Sequence, residues 1–339
     1  MPEINRIAVI VLNWNGADML SECLDSLFAQ DYPDYFVIVV DNGSTDGSRT
    51  VLERYQAKMG QQLQVIFNNS NLGFAGGANA GIRLALKQQV GAIALLNNDA
   101  AAKKNWLTEL AAVLQDNSRI GIATGLLLNA TGQMIDSTGD FYSIWGLAFP
   151  RDRDKPTQQA TDSGYVFGAT GGASLYRVEM LNEIGLFDEK FFAYYEDVDI
   201  SFRAQLAGWK AYYTKVAVAF HRRGATSDKL VGFTVYQTLK NLPLLFIKNV
   251  PRGLLLKIGL RFMLIYPAVF LNRARRNVWP QAIKGFFAAC YLLPQALADR
   301  YHIQKSRKVS AEYIKSTIWP ELPPTHKRLK KLWRKLVVR

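Results

Sequence analysis

Short apolar runs alternate with amphipathic helical patterns over most of the first 220 residues. The predicted strands cover residues 7–12, 36–40, 63–67, 92–96, 120–127 and 211–220, and the predicted helices cover residues 17–28, 48–59, 75–88, 104–114, 180–184 and 199–207. This alternation predicts an α/β fold in which a mainly parallel sheet carries helices on both faces. Residues 129–164 are polar and rich in turn formers, which predicts an irregular segment such as a lid or an acceptor loop.

Two of the predicted strands end on a carboxylate. Residues 36–40 stop at Asp41, and residues 92–96 run into Asn97, Asn98 and Asp99. Because the carboxyl ends of parallel strands share one edge of a sheet, both acids are expected to face one cleft, where ligands of such sheets collect. An acid at this point, in place of a Gly-x-Gly phosphate cradle, favours recognition of a base or a sugar.

Asp99 and His221 each allow two interpretations. Asp99 could cap the helix that follows, or it could bind a hard cation that bridges a diphosphate. His221 follows the last predicted strand and is either structural or, paired with Asp99, part of a mixed nitrogen and oxygen site for Mg²⁺ or Mn²⁺.

A third acidic group lies in residues 194–199 (Tyr-Tyr-Glu-Asp-Val-Asp), where three carboxylates occupy four positions. Such charges are costly to pack together unless cations or a function hold them. The acids could open a helix. Alternatively, one of them, partly desolvated by the neighbouring aromatic rings, could be a general base that accepts a hydroxyl proton.

Two glycine-rich segments, residues 71–81 and 170–173, allow close approach of the backbone. Neither matches the dinucleotide fingerprint or the P-loop. Each could bring backbone N–H groups to a ligand or serve the packing of a helix on the sheet.

Charge divides the chain into two parts. Residues 1–229 contain 20 Lys and Arg against 25 Asp and Glu, a net charge of −5, whereas residues 230–339 contain 21 against 3, a net charge of +18. We therefore expect a catalytic domain over residues 1–229 and a basic helical extension over residues 230–339. Two distant cysteines and the absence of a secretory signal at the start favour a reducing compartment.

Taken together, these motifs resemble those of the inverting, nucleotide-sugar-dependent glycosyltransferases of family two, which have the GT-A fold. The rhamnosyltransferase-like branch of bacterial surface-polysaccharide assembly is the most similar. The matching segments are residues 11–16 (Val-Leu-Asn-Trp-Asn-Gly), 41–46, 71–79, 96–99, 171–173, 187–192, 195–199 and His221. They occur in the family's order over roughly residues 6–225, and the ordered set is much more specific than any single motif.

The resemblance implies a donor pocket for a dTDP- or UDP-linked sugar. Asp41 is expected to hydrogen-bond the pyrimidine ring, and Asn13 and Asn15 are expected to line the nucleoside pocket. Asn98 is expected to face the ribose, and Gly76 to contribute to donor binding.

The resemblance also implies a metal site. Residues 97–99 (Asn-Asn-Asp) stand where the family has Asp-x-Asp, so Asp99 should carry Mg²⁺ or Mn²⁺ without a second acid. His221 is expected to be the later contact to the metal or the diphosphate.

Asp197 is implied as the catalytic base, with Glu196 beside it and Asp199 capping or orienting. The acceptor hydroxyl would attack the anomeric carbon opposite the leaving nucleoside diphosphate, so that configuration inverts. The expected reaction moves a sugar, rhamnose from dTDP-rhamnose in the first instance, to a lipid-linked glycan. The alternatives are another UDP- or dTDP-linked sugar and a catalytically inactive nucleotide- or carbohydrate-binding module.

The basic extension favours a membrane surface. Residues 254–271 have the length of a span, but two cations and a proline interrupt them, and an in-plane helix would place those cations among lipid phosphates. Residues 326–339 repeat the pattern, with Leu and Trp on one helical face. We expect peripheral attachment to the anionic cytoplasmic face of the inner membrane. The alternatives are a solvated basic bundle, a true span and nucleic-acid binding; we expect no nucleic acid, because the first part is acidic.

Overall fold

The computed structural model describes residues 4–224, 230–274 and 278–324. The strands in these ranges are β1 Ile7–Asn13, β2 Tyr35–Asp41, β3 Leu63–Phe67, β4 Ala92–Asn97, β5 Ala100–Ala102, β6 Ile120–Asn129, β7 Ile135–Ser137, β8 Asp140–Tyr142, β9 Ala148–Pro150, β10 Gly164–Val166, β11 Ala173–Arg177 and β12 Lys210–His221. The helices are α1 Ala17–Phe28, α2 Ser48–Met59, α3 Gly73–Leu86, α4 Trp106–Asp116, α5 Val178–Ile184, α6 Glu196–Leu206, α7 Phe233–Asn249, α8 Arg252–Ala274, α9 Trp279–Lys305 and α10 Ala311–Thr317. The predicted amphipathic segment 326–339 lies outside the described residues.

The main sheet is largely parallel, as predicted. Its order is β10-β12-β6-β11-β4-β1-β2-β3, with β5 paired to β12 and β7 paired to β6. β1 runs parallel to β2 and β4, and β12 runs parallel to β6, while β11 lies antiparallel between β4 and β6. The carboxyl ends of β1, β2, β4 and β12 therefore share one edge with the amino end of β11.

Helices cover both faces of this sheet because successive strand residues point to opposite sides. Val37 of β2 packs in the same cluster as Leu24 of α1 on one face. The next residue, Ile38, joins the cluster that contains Ile82 of α3 on the other face. All seven residues of β2 are buried, which explains why the sequence of this strand is a continuous apolar run.

The segment 129–164 is not the irregular lid that its composition predicts. It contains β7 and the hairpin of β8 and β9, and several of its polar side chains are buried. Local hydrogen bonds satisfy them: Arg151 donates to the Thr138 carbonyl, and Ser137 Oγ accepts from Gly139 N. The polar composition therefore reflects an internal hydrogen-bond network, so the prediction of an irregular segment was wrong.

The basic extension is helical, as predicted, and it packs tightly on the first part of the chain. Leu239 of α7, Leu254 of α8 and Ile314 of α10 share one hydrophobic cluster with Phe191 and Phe202 of the first part. Among the described residues, Arg252–Asn272 is the one helical stretch long and apolar enough to cross a membrane. A third of its most apolar window is buried inside the protein, and the other two thirds are not.

Candidate active site

A hydrogen-bonded cluster joins the ends of three strands. Asn13 Nδ2 donates to Asp41 Oδ2 at 2.9 Å, and Asn98 Nδ2 donates to Asn13 Oδ1 at 2.8 Å. The backbone N–H of Ser44 donates to Asp41 Oδ1 at 2.9 Å, and Asp41 is 4% exposed. The structure thus brings together three residues predicted to bind the donor, and Asp41 is tied to its neighbours through both carboxylate oxygens.

Asn15 connects the loops that follow β1 and β2. Its backbone has a positive φ of 50°, and its side-chain oxygen accepts a hydrogen bond from Thr45 N at 2.8 Å. Its own N–H donates to Ser44 Oγ at 2.9 Å. The adjacent Gly16 is required by close packing, because an added Cβ would lie 2.2 Å from Asn98 Nδ2.

Asp99 and His221 meet at the same edge, as the sequence predicts. His221 Nε2 lies 3.2 Å from Asp99 Oδ1, and His221 Nδ1 lies 2.7 Å from Asp136 Oδ2. Burial lowers the pKa of His221, but the bonds to Asp136 and Asp99 outweigh it and raise the pKa to about 9. At neutral pH and with no cation bound, the protonated ring therefore bridges two carboxylates, and a cation on Nε2 would replace the proton there.

The donor set at this point fits a cation with open coordination positions. The described residues contain no group of three or more His, Cys, Asp or Glu side chains arranged to hold a metal. Asp99 and His221 nevertheless supply one oxygen and one nitrogen ligand, and Asp136, 2% exposed, fixes the ring from behind as an outer carboxylate commonly does. A cation here would need further ligands from water or from a bound molecule.

Glu196 and Asp197 begin α6 rather than preceding it. Glu196 is 5% exposed, and its Oε2 has no hydrogen-bond partner among the described residues. Burial, followed by repulsion from Asp197, raises the pKa of Glu196 well above its ordinary value. Asp197 is half-buried and accepts hydrogen bonds from Gly171 N at 3.0 Å and Val198 N at 2.8 Å, while burial raises its pKa as well.

A third carboxylate of this site, Asp140, was missed from the sequence. It begins β8, is 9% exposed and accepts a hydrogen bond from Ser137 Oγ at 3.4 Å. Burial, followed by the charge of Asp197, raises the pKa of Asp140 to about 7. A sequence signal for Asp140 does exist: residues 136–140 (Asp-Ser-Thr-Gly-Asp) place two acids around a turn. It was missed because the composition of residues 129–164 predicted an irregular segment.

Asp199, by contrast, holds the structure together. It is fully buried and lies 2.8 Å from Arg203 Nε and 2.9 Å from Lys248 Nζ, and Asn249 Nδ2 donates to it at 2.8 Å. Burial opposes its charge, but these two cations lower the pKa of Asp199. Asp199 therefore joins α6 to α7, which agrees with the prediction that it orients rather than reacts.

The glycines of residues 71–81 serve mainly the packing of α3. A Cβ on Gly77 would meet Leu12, and one on Gly81 would meet Ile10. Gly76 is buried beside Leu72, 2.8 Å from an added Cβ, so its donor-binding role stays a prediction. Gly73 has a φ of 73°, and an added Cβ there would lie 2.4 Å from the carbonyl oxygen of Phe192.

These residues surround a cleft of about 830 Å³ at the shared strand edge. The cleft is lined by Trp14, residues 97–99, Asp140, residues 194–197 and His221, among others. Arg153 and the first turns of α7 also line it, although no sequence motif indicated either. The predicted acids Asp99, Glu196 and Asp197 thus share one cleft, joined by groups from β8 and from the extension, whereas Asp41 is not among the residues that line it.

A family model described as glycosyl transferase family 2 matches residues 8–185, about half of the chain. The chain belongs to glycosyl transferase family 2. An uncharacterized glycosyltransferase of Nostoc sp. is 31% identical over 180 residues, 53% of each chain. An N-acetylglucosaminyl-diphospho-decaprenol L-rhamnosyltransferase of Mycobacterium tuberculosis is 22% identical over 250 residues, 66% of this chain and 78% of that one. This family 2 member spans about half the length of several curated relatives that it matches.

Solved structures of other glycosyltransferases have a similar fold. GalNAc-T7, solved with UDP, GalNAc and Mn²⁺, superposes with a TM-score of 0.58 at 17% identity, covering 73% of this chain and 48% of that chain. The likeness confirms the predicted GT-A type of α/β fold, here with a helical C-terminal part. This family 2 protein has homologues in bacterial cell-surface glycan synthesis.

Proposed function

We propose that the protein is an inverting glycosyltransferase that moves a sugar from a nucleoside diphosphate to an acceptor hydroxyl. The observation that carries this proposal is the convergence of Asp99 and His221 with Glu196 and Asp197 in one cleft. A general base and a diphosphate site are the two elements that such a transfer needs. Membership of family 2 supports the same reaction class.

Asp197 is the proposed base. Two backbone N–H groups fix its carboxylate in the cleft, and burial raises its pKa, so that it accepts a hydroxyl proton more readily than an ordinary aspartate. Glu196 lies deeper, and its higher pKa keeps it protonated over a wider range of pH. It therefore fits a supporting role, in which it can donate a hydrogen bond in the cleft.

Asp99 and His221 would hold Mg²⁺ or Mn²⁺, which would neutralise charge on the departing diphosphate when bound. Asp136 keeps the imidazole in place through Nδ1, which leaves Nε2 directed at Asp99. Mn²⁺ and UDP in the GalNAc-T7 structure support a metal-assisted site of this type.

The proposed donor is dTDP-rhamnose, and the proposed acceptor is a lipid-linked glycan. The rhamnosyltransferase relative, which acts on N-acetylglucosaminyl-diphospho-decaprenol by its name, supports both. Another UDP- or dTDP-linked sugar is the second candidate, supported by relatives that transfer N-acetylglucosamine. The two proposed ligand side chains and the base argue against an inactive binding module.

Peripheral membrane attachment belongs to the same proposal, with residues 230–339 as the attaching part. Most of the large apolar side chains that the described residues expose lie on α8 and α9, including Leu256, Leu264, Phe287 and Tyr291, each at least 64% exposed. Lys257, also exposed, lies on α8, and an apolar face beside a cation suits an anionic leaflet. The cytoplasmic face of the inner membrane is the proposed location, where lipid-linked intermediates and nucleotide sugars meet.

A co-sedimentation assay tests the attachment. The full chain with both Leu264→Glu and Phe287→Glu is expected to bind phosphatidylglycerol vesicles at least tenfold more weakly than wild type. The matched control carries Tyr165→Glu and Val216→Glu, two exposed apolar positions on the sheet, and is expected to bind as wild type does. Equal binding by both double variants would exclude α8 and α9 as the attaching face.

Nucleotide release tests the transferase itself. Wild-type protein is incubated with a panel of dTDP-, UDP- and GDP-sugars, with Mn²⁺ or with EDTA. We expect release of one nucleoside diphosphate above background with Mn²⁺ and at least a tenfold smaller rate with EDTA. No release from any donor, with or without a lipid-linked glycan, would refute the proposed function.

A further inference from the structure

An aromatic group lies in the cleft where the extension meets the loop before α6. Phe233, the first residue of α7, lies with its ring centroid 6.1 Å from that of Phe192 and 6.1 Å from that of Tyr194. All three residues line the cleft, together with Thr234 and Thr238 from the next turns of α7. Thr234 Oγ1 donates to Tyr194 Oη at 3.4 Å, which adds hydroxyl groups beside the rings.

The loop that presents two of these rings is strained. Phe192, Tyr194 and Tyr195 have positive φ values of 63°, 67° and 73°, a region that L side chains adopt at a cost. Such conformations persist where the surroundings impose them, and they concentrate at functional sites. Here Gly73 permits the close approach, and Ala75 N donates to the carbonyl of Phe192 at 3.1 Å.

Helix α7 imposes this loop conformation. Asn241 Nδ2 lies within hydrogen-bond distance of three loop carbonyls, at 2.9 Å from Phe191, 3.0 Å from Ala193 and 2.7 Å from Tyr194. Lys240 Nζ donates to the Phe191 carbonyl at 3.2 Å from the same side. The extension therefore fixes the residues that lead directly into Glu196 and Asp197, although α7 lies outside the residues matched by the family model.

The aromatic group is placed to meet the acceptor. The residues that we assign to the donor come from the ends of β1, β2 and β4, whereas the rings come from α7 and from the loop that ends at the proposed base. Aromatic rings in a cleft bind the apolar C–H face of a saccharide, and neighbouring hydroxyl groups orient it.

We propose that Phe233, Phe192 and Tyr194 form an acceptor subsite that stacks on a saccharide unit of the acceptor, with Asn241 as a positioning residue that holds the loop. The proposal rests on the proposed transferase function, and it makes the first helix of the extension a part of the active site. Membrane attachment through α8 and α9 is a separate property.

The test uses the full chain and a water-soluble probe, N-acetylglucosaminyl diphosphate on a short alkyl chain. Phe233→Ala is expected to raise the KM for this probe at least tenfold and the KM for the donor less than threefold. Asn241→Leu is expected to lower kcat at least tenfold, because the loop before the base loses its bonds. The matched controls are on α7 but away from the cleft: Phe246→Ala, whose ring stacks on Phe262, and Leu245→Ala, which faces the core. Both controls are expected to lower thermal stability, while their KM and kcat stay within threefold of wild type.

A second measurement is independent of turnover. In saturation-transfer NMR, the sugar-ring protons of the probe are expected to receive saturation from wild type and Phe246→Ala but not from Phe233→Ala. No saturation with wild type, or equal saturation with Phe233→Ala, would overturn the subsite. Nucleotide release by wild type with an unchanged probe KM in Phe233→Ala would also overturn it, while leaving the transferase function intact. If Asn241→Leu loses thermal stability as Leu245→Ala does but keeps an unchanged kcat, Asn241 has no positioning role.

Discussion

The first turn of α6 contains acids with different roles: Asp197 is the proposed base, whereas Asp199 stabilises the fold. The variant Asp199→Asn tests this difference quantitatively. Asp199→Asn removes the carboxylate that faces the buried Lys248 and Arg203. Breaking a buried ion pair from one side costs about 3–5 kcal/mol, because the remaining charge is left without compensation. Unfolding entropy of about 2.1 cal/mol/K per residue over 339 residues makes this a fall of roughly 4–7 °C in the thermal midpoint.

Scanning calorimetry measures that midpoint, and kcat is compared at a temperature well below it. The folded pKa of Asp199 is lowered, so its contribution is present above the unfolded pKa and is lost as the pH falls toward the folded pKa. The midpoint difference between wild type and Asp199→Asn is therefore expected at neutral pH and should shrink in acid. Asp162→Asn is the matched control, because its exposed pair with Lys215 should leave the midpoint unchanged. A normal midpoint combined with a tenfold loss of kcat would refute the structural assignment of Asp199.

Three further changes test the donor and catalytic assignments. Asp197→Asn should lower the pKa of Asp140, followed by carboxyl-carbon NMR, because the charge of Asp197 no longer raises it; an unmoved pKa of Asp140 would contradict the coupling. Asp41→Ala should raise the donor KM at least tenfold while kcat falls less than threefold, and steady-state kinetics with the opposite pattern would count against its role at the base of the nucleotide. Gly73→Ala should lower kcat at least tenfold through displacement of Phe192, and a crystal structure of this variant with an unmoved loop would disprove that explanation.

Much of the sheet was predictable because buried parallel strands leave continuous apolar runs in the sequence. β2 and β4 are examples, and the prediction that their ends converge was confirmed when Asn13, Asp41 and Asn98 proved to form one cluster. The antiparallel β11 was missed because a five-residue strand after two glycines has no distinctive period.

The part of the site that escaped prediction depends on contacts distant in sequence. Asp140 lies in a polar segment whose order comes from local hydrogen bonds, and composition cannot distinguish such a segment from a loop. Phe233 reaches the cleft, and Asn241 reaches the loop beside it, only because α7 packs on α6 through a shared hydrophobic cluster. The net charge of residues 230–339 predicted an extension with a function of its own, although the first helix of this extension, α7, lines the cleft.

The central claim is that Asp197 removes the acceptor proton during an inverting transfer. The decisive measurement is the single-turnover rate of sugar transfer from the preferred donor by wild type and Asp197→Asn, with the anomeric configuration of the product determined by NMR. We expect inversion and a rate lower by about 10²–10⁴ in Asp197→Asn, the usual cost of losing a general base. Retention of configuration, or a rate within threefold of wild type, would contradict the claim.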